Sequence, residues 1–104
     1  MAKYLLLYRG GSMPETEAAQ AAVMKAWDDW FKAIGSAVAD PGNPFTPASK
    51  SIGTDGAVSD GAGSASGYSV IEADSLDDAT TLAKDCPVLA GGASIDVYET
   101  FEVM

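Results

Sequence analysis

The stretch Gly67-Tyr-Ser-Val-Ile-Glu-Ala-Asp-Ser-Leu-Asp-Asp-Ala79, followed by Cys86-Pro87, Gly91-Gly92 and Ser94-Ile-Asp-Val-Tyr-Glu99, decides the fold. Tyr68 to Ala73 is aromatic and β-branched, as a strand requires. Ser75 caps a following helix, and Asp77 and Asp78 sit in its first turn, where the helix dipole favours carboxylates. Leu76, Ala79 and Ala83 share the expected inner face of that helix. Pro87 ends it, and the glycine pair turns the chain into a last strand. There Ile95, Val97 and Phe101 alternate with Asp96, Tyr98 and Thr100. The unit reads strand, helix, strand.

The same reading extends towards the N-terminus. Lys3-Tyr-Leu-Leu-Leu-Tyr8 is a short, nearly continuous apolar and aromatic run, the pattern of a strand buried on both faces. Gly10-Gly11 closes it, and Ser12-Met-Pro-Glu15 matches a capping box. A helix of about six turns then places Val23, Trp27, Trp30 and Ile34 in one arc with Phe31 beside it. Lys25/Asp29 and Asp28/Lys32 are i,i+4 pairs on the opposite side. Gly35 is the expected C-terminal stop.

Ala37 to Ala39 is a weak strand. Asp40-Pro-Gly-Asn-Pro-Phe-Thr-Pro47 holds three of the chain's five prolines and must be an irregular connection. Lys50 to Thr54 and Ala57 to Ser59 flank Asp55-Gly56, the dipeptide of type I′ hairpins. Ser59 to Gly67 is small, polar and glycine-rich, and reads as a loop. The order is βαββαβ with a minor hairpin inserted. The expected fold class is therefore α+β, a ferredoxin-like domain with two helices on one face of an antiparallel sheet, spanning residues 1–104.

Composition sets limits. The chain has 104 residues, 47% of them hydrophobic and 20% charged, as in a globular domain. A net charge of -9 opposes nucleic acid and anionic membrane as partners, both of which select basic surfaces. No apolar run approaches the roughly 18 residues of a membrane span. One cysteine leaves no internal disulfide and fits a cytoplasmic location.

The architecture carries a consequence for function. One sheet face is covered by helices and the other is bare, with Tyr98, Thr100 and alternate residues of the first strand on the bare side. An aromatic sheet face in water calls for a cover. A symmetric homodimer in which two sheets face each other and enclose a pocket supplies one.

Along nearly its whole length the chain resembles the YCII-related proteins of the DGPF type. The residues that carry the resemblance are Lys3-Tyr-Leu-Leu-Leu-Tyr-Arg9, Trp27-Asp-Asp-Trp30, Asp60-Gly61, Gly67-Tyr68, Glu72 to Ala79, Cys86-Pro87 and Gly91-Gly92-Ala-Ser-Ile-Asp-Val97. The resemblance implies a dimeric α/β barrel built on a ferredoxin-like subunit, in a family whose members mostly have no assigned activity. The Asp-Gly-Pro-Phe signature is here Asp60-Gly61-Ala62-Gly63. Some members carry a His/Asp pair proposed to be catalytic, and this chain contains no histidine. The carboxylate half alone carries over, onto Asp40.

A general base must then be a carboxylate, a tyrosine or a lysine with a shifted pKa. Asp40 is the candidate catalytic residue; its bland counterpart is a turn aspartate ahead of a proline. The candidate ligand-binding residues are Arg9, a strand-end guanidinium able to clamp a carboxylate, and Tyr68 and Tyr98, which either line a pocket or only fill a dimer interface. Glu72 reads as a solvated strand carboxylate. Trp27 and Trp30 read as core, and Cys86 as a buried structural thiol. Asp74, Asp77 and Asp78 are explained by capping. No cofactor or metal is expected, because the glycines between 53 and 67 precede a strand and the acidic residues lack calcium-loop spacing. Two functions stay open. One is a small-molecule-binding or accessory dimer. The other is a cofactor-independent enzyme, of isomerase or lyase type, moving a proton on a small organic acid or aromatic-derived metabolite.

Overall fold

The computed structural model describes residues 2–61 and 63–103. In chain order the elements are β1 (Ala2–Gly10), α1 (Glu17–Ile34), β2 (Val38–Asp40), β3 (Lys50–Ile52), β4 (Val58–Asp60), β5 (Ala65–Ala73), α2 (Leu76–Ala83) and β6 (Ala93–Glu99). The sheet order is β2-β5-β1-β6, and every neighbouring pair is antiparallel. With the β3–β4 hairpin set aside, this is the ferredoxin-like βαββαβ arrangement expected from the sequence.

Alternation along the central strands sorts the two faces. Tyr4, Leu6 and Tyr8 of β1, with Ile71 and Ala73 of β5, are buried under the helices against Trp30, Ala79, Ala83 and Cys86. Leu5 and Leu7 point the other way and are only half-buried. The expectation that β1 is buried on both faces is therefore corrected: the helices cover one side only. Trp27 packs edge-on against Tyr8 and Trp30, and the Trp30 indole N–H donates to the Leu82 carbonyl at 3.1 Å, tying α1 to α2. Both i,i+4 ion pairs on the outer side of α1 form at 2.8 Å.

Several boundaries differ from the sequence reading. Helix α1 is capped not by Ser12 but by Thr16, whose hydroxyl accepts from the Ala19 amide at 3.1 Å. The Ser12 amide instead donates to the Gly91 carbonyl, which fixes residues before the helix against the final turn. The helix is thus 18 residues, about five turns. Gly35 ends it at φ 56° as expected. The hairpin turn is not type I′: the described residues other than glycine all have negative φ, Asp55 included. The Gly56 amide closes a turn onto the Gly53 carbonyl, and Gly56 itself sits at φ 85°. That is a three-residue loop, a type I turn followed by a left-handed glycine. Ala65 to Gly67 join β5 rather than the preceding loop. Leu76 is 45% exposed, and Phe101 lies beyond β6 at 82% exposure, so neither belongs to the core. Phe101 is excluded because the strand stops at Glu99, and Thr100 turns to bond the Lys3 carbonyl.

The proline-rich connection is irregular yet tightly held to the sheet edge. The buried Tyr8 hydroxyl donates to Ser69 Oγ at 2.7 Å, and Ser69 in turn donates to the Pro41 carbonyl at 2.7 Å. Gly42 lies so close to β5 that an added Cβ would stand 1.7 Å from the Tyr68 carbonyl oxygen, and its φ of 74° also demands glycine. Pro44 bridges Gly67, and the Phe45 amide donates to the Ser66 carbonyl. The segment extends the edge that β2 begins.

The hydroxyl chain gives a stability prediction. Ser69→Ala leaves the buried Tyr8 hydroxyl without an acceptor and should cost about 1–3 kcal/mol in urea denaturation. Tyr8→Phe removes the donor instead and should cost about 1 kcal/mol at neutral pH. Burial pushes the Tyr8 phenol above its ordinary 10.0 and the Cys86 thiol above its ordinary 9.0. The folded state favours the neutral form of each. Their contribution is complete below those ordinary values and is lost as pH rises towards the folded ones. The urea midpoint should fall from about pH 9 upward, and fall less steeply in Tyr8→Phe.

Candidate functional site on the uncovered sheet face

The strand register lays out the bare face as rows. Leu7 of β1 lies between Tyr68 of β5 and Asp96 of β6. In the next row Leu5 lies between Val70 and Tyr98, and Val70 pairs outward with Asp40 of β2. Lys3 faces Glu72 at one end, and Arg9 stands beside Ser94 at the other. Thus Arg9, Tyr68 and Tyr98, singled out from sequence, share one face with Asp40 at its edge.

Arg9 is not free. Its Nε donates to Asp96 Oδ2, and its Nη1 lies 3.4 Å from the Ser64 hydroxyl. The hydrogen bond to Asp96, with the nearby Tyr98 hydroxyl and the Asp96 charge behind it, holds the guanidinium pKa above its ordinary value. Both partners remain more than a third exposed, at 37% and 42%. A ligand carboxylate would therefore compete with Asp96 for this arginine. Tyr68 stacks on Phe45, with ring centroids 5.9 Å apart and an interplanar angle of 26°. The proline-rich connection thereby places a second aromatic beside the face.

Asp40 stands apart from this group. Its Oδ1 accepts from the Gly42 amide at 2.9 Å, an aspartate turn, and the residue is exposed. With strands about 4.8 Å apart and about 3.3 Å per residue, its Cα lies roughly 16 Å from that of Arg9 in the same chain. Glu72 is half-buried opposite Lys3. Cys86 is buried, and Trp30 is core.

Sequence reasoning misses three participants. Alternation marks Asp96 only as an outward residue; its signal is the cross-strand diagonal to Arg9, visible once register is known. Phe45 is hidden inside a proline-rich connection. Ser64 lies in a segment that reads as a featureless loop. Of the altered signature, Asp60, Gly61 and Gly63 are described; Ala62 lies outside the described residues.

Two concavities of the single chain lie elsewhere. One, of about 580 Å³, sits at the base of the hairpin between Ser49, Lys50, Asp60 and Gly61. The other, of about 350 Å³, lies between Ile34, Glu72, Asp78 and Leu82. Neither includes Tyr68 or Tyr98. Among the described residues no three Cys, Asp or Glu side chains gather as metal ligands, and no helix is long and apolar enough to cross a membrane.

No protein-family model matches the chain, and no curated protein sequence matches it. Among solved structures it is similar to 5-chloro-2-hydroxyhydroquinone dehydrochlorinase (TftG) from Burkholderia phenoliruptrix AC1100, in complex with 2,5-dihydroxybenzoquinone. That likeness covers 95% of this chain and 93% of the other, at a TM-score of 0.54 and 18% identity. At such identity it establishes the fold alone, an α+β domain with helices on an antiparallel sheet.

Proposed function

We propose that two copies of this chain pair through their uncovered sheet faces and hold a small molecule between them, as a binding or accessory protein of the YCII-related kind. One observation carries this reading: the face opposite the helices presents Leu5, Leu7, Tyr68, Val70 and Tyr98 together. Those side chains need a cover, and they are the right lining for a planar, largely apolar ligand. The face carries two cations, Lys3 and Arg9, against Asp40, Glu72 and Asp96. It is therefore close to neutral, whereas the chain as a whole carries -9. Pairing there avoids most of the repulsion between two acidic chains. Because Asp96 already occupies Arg9, ligands with hydroxyl or carbonyl oxygens suit the site better than free carboxylates.

The neighbouring dehydrochlorinase, in complex with 2,5-dihydroxybenzoquinone, favours a second reading. In it the pocket performs proton transfer on an aromatic-derived metabolite, with Asp40 as base. Arg9 and Asp40 of one chain are too far apart to grip and deprotonate a single small ring. The enzyme reading therefore requires Asp40 of one copy to act on a ring held by the Arg9 group of the other.

Calorimetric titration with hydroxylated quinones and matched benzoates tests the ligand class: tighter binding of the benzoates would contradict it. Asp40→Asn separates the two readings. For a binding protein, affinity stays within about twofold, because the side chain only closes a turn that asparagine also closes. For an enzyme, turnover in a screen of small acids and phenols should fall by about 10²–10⁴ with binding retained.

A further inference from the structure

We infer that the β3–β4 hairpin is a dimerisation arm that lays its apolar face on a second copy of this chain, an inference that rests on the face-to-face pairing proposed above. The ribbon pairs Lys50 with Asp60, Ser51 with Ser59 and Ile52 with Val58. Lys50, Ile52, Val58 and Asp60 share one face, and the two serines occupy the other. The apolar pair points into water, Ile52 at 72% exposure and Val58 at 65%, while Ser51 is half-buried on the opposite side. A hairpin folded onto its own domain would present these faces the other way round. A lone two-stranded ribbon is also marginally stable in water. This one forms its own sheet, separate from the main one.

Its base is nonetheless built. The Gly61 amide donates to the Ser49 carbonyl, a Cβ on Gly61 would stand 1.7 Å from Ser49 Oγ, and Lys50 Nζ meets Asp60 Oδ1 at 3.0 Å. The turn is closed by Gly53–Ala57 and Gly56–Gly53 backbone bonds and by Asp55 accepting from the Ala57 amide. The arm is defined at both ends, and its apolar pair is far more exposed than Ser51 on the opposite face.

Shape and area name the occupant. The chain measures 44 × 39 × 18 Å with a radius of gyration of 15.2 Å, against about 13 Å for a compact chain of this length. It is a thin slab, broadened in its own plane. Four strands about 4.8 Å apart and about seven residues long offer roughly 440 Å² of flat face. A stable interface takes about 800 Å² from each partner. A flat outline counts less than the accessible surface of the side chains on it, yet this one is small for a stable pairing, and an in-plane arm reaching past it onto the other copy adds apolar area of the needed kind. Twofold symmetry then engages both arms at once.

The test uses the full chain. Light scattering and sedimentation over a dilution series should give a dimer for the wild type. In the double variant Ile52→Ser/Val58→Ser the dimer should be at least about thirtyfold weaker, since symmetry removes four buried aliphatic side chains together. As a check independent of that variant's folding, Ile52→Cys should react with a maleimide about tenfold more slowly at concentrations where the dimer forms. The native Cys86 is buried and leaves little background. A wild-type dimer that the double variant leaves equally tight, with the thiol of Ile52→Cys labelled at the same rate throughout, would overturn the arm and leave the sheet pairing standing. A wild-type chain that stays monomeric at all concentrations would remove the pairing itself, and the arm with it.

Discussion

Leu7→Asp should leave the chain folded and make it monomeric. Leu7 lies in the middle of the uncovered face, directly between Tyr68 and Asp96. In the isolated chain it is only half-buried, so a carboxylate there keeps much of its water and the fold loses little. Between two paired sheets the same carboxylate would be desolvated; the nearest cation, Arg9, is engaged by Asp96, and Lys3 stands four residues away along β1. In the proposed dimer, symmetry would place the charge in the interface twice, with two Asp96 carboxylates nearby. The cost should reach several kcal/mol, enough to weaken association by about a thousandfold or more. Sedimentation velocity reads the outcome, and far-UV circular dichroism shows whether the subunit is intact. A variant that still dimerises as the wild type does would mean that the sheets do not meet through this face.

Leu6→Ala should have the opposite signature. Leu6 is fully buried at the centre of the helix-covered face, between Ser69 of β5 and Val97 of β6, in the cluster that also holds Ile71 and Trp30. Large-to-small substitutions at such sites cost about 2–5 kcal/mol, from lost transfer energy and the cavity left behind. The higher part of that range is expected here. The core is thin, with Tyr4, Leu6, Ile71 and Ser69 as its largest completely buried side chains, and it has few neighbours with which to close a void. Domains of this size hold about 5–15 kcal/mol in all, so the variant should lose a large fraction of its urea resistance. Leu5→Ala is the internal control. It faces outward in the adjacent position and should change subunit stability by less than about 1 kcal/mol.

The pair of experiments dissects a run that looks uniform in sequence. Leu5, Leu6 and Leu7 are the same residue three times, and their continuous apolar pattern suggests a strand covered on both sides. The helices that settle the question are encoded elsewhere in the chain. Asp96 and Arg9 pose the same difficulty, because 87 positions separate them and only the β1–β6 register makes them a pair. Phe45 reaches Tyr68 through backbone bonds of a segment whose prolines exclude regular structure but say nothing about where it lies. The N-terminal start of α1 falls at Thr16 and not at Ser12 for a related reason. Both residues can cap locally, and the Gly91 carbonyl, distant in sequence, claims the Ser12 amide.

What the sequence alone determined was the order of elements and a few of their ends. Ser75, Gly35 and the glycine turns act through their own backbone chemistry, which does not depend on the remainder of the chain, whereas α2 stops at Ala83 and Pro87 opens a separate short turn beyond it. The β-strand, helix, β-strand unit from Gly67 to Glu99 stood on such local signals, and so did the ferredoxin-like class built from it. Tertiary structure decided which side of each strand meets the helices, which charges pair and which apolar residues are left facing water. Those are properties of register and packing between distant segments. An amphipathic pattern shows that a residue has two possible surroundings, and only the placement of its neighbours selects one.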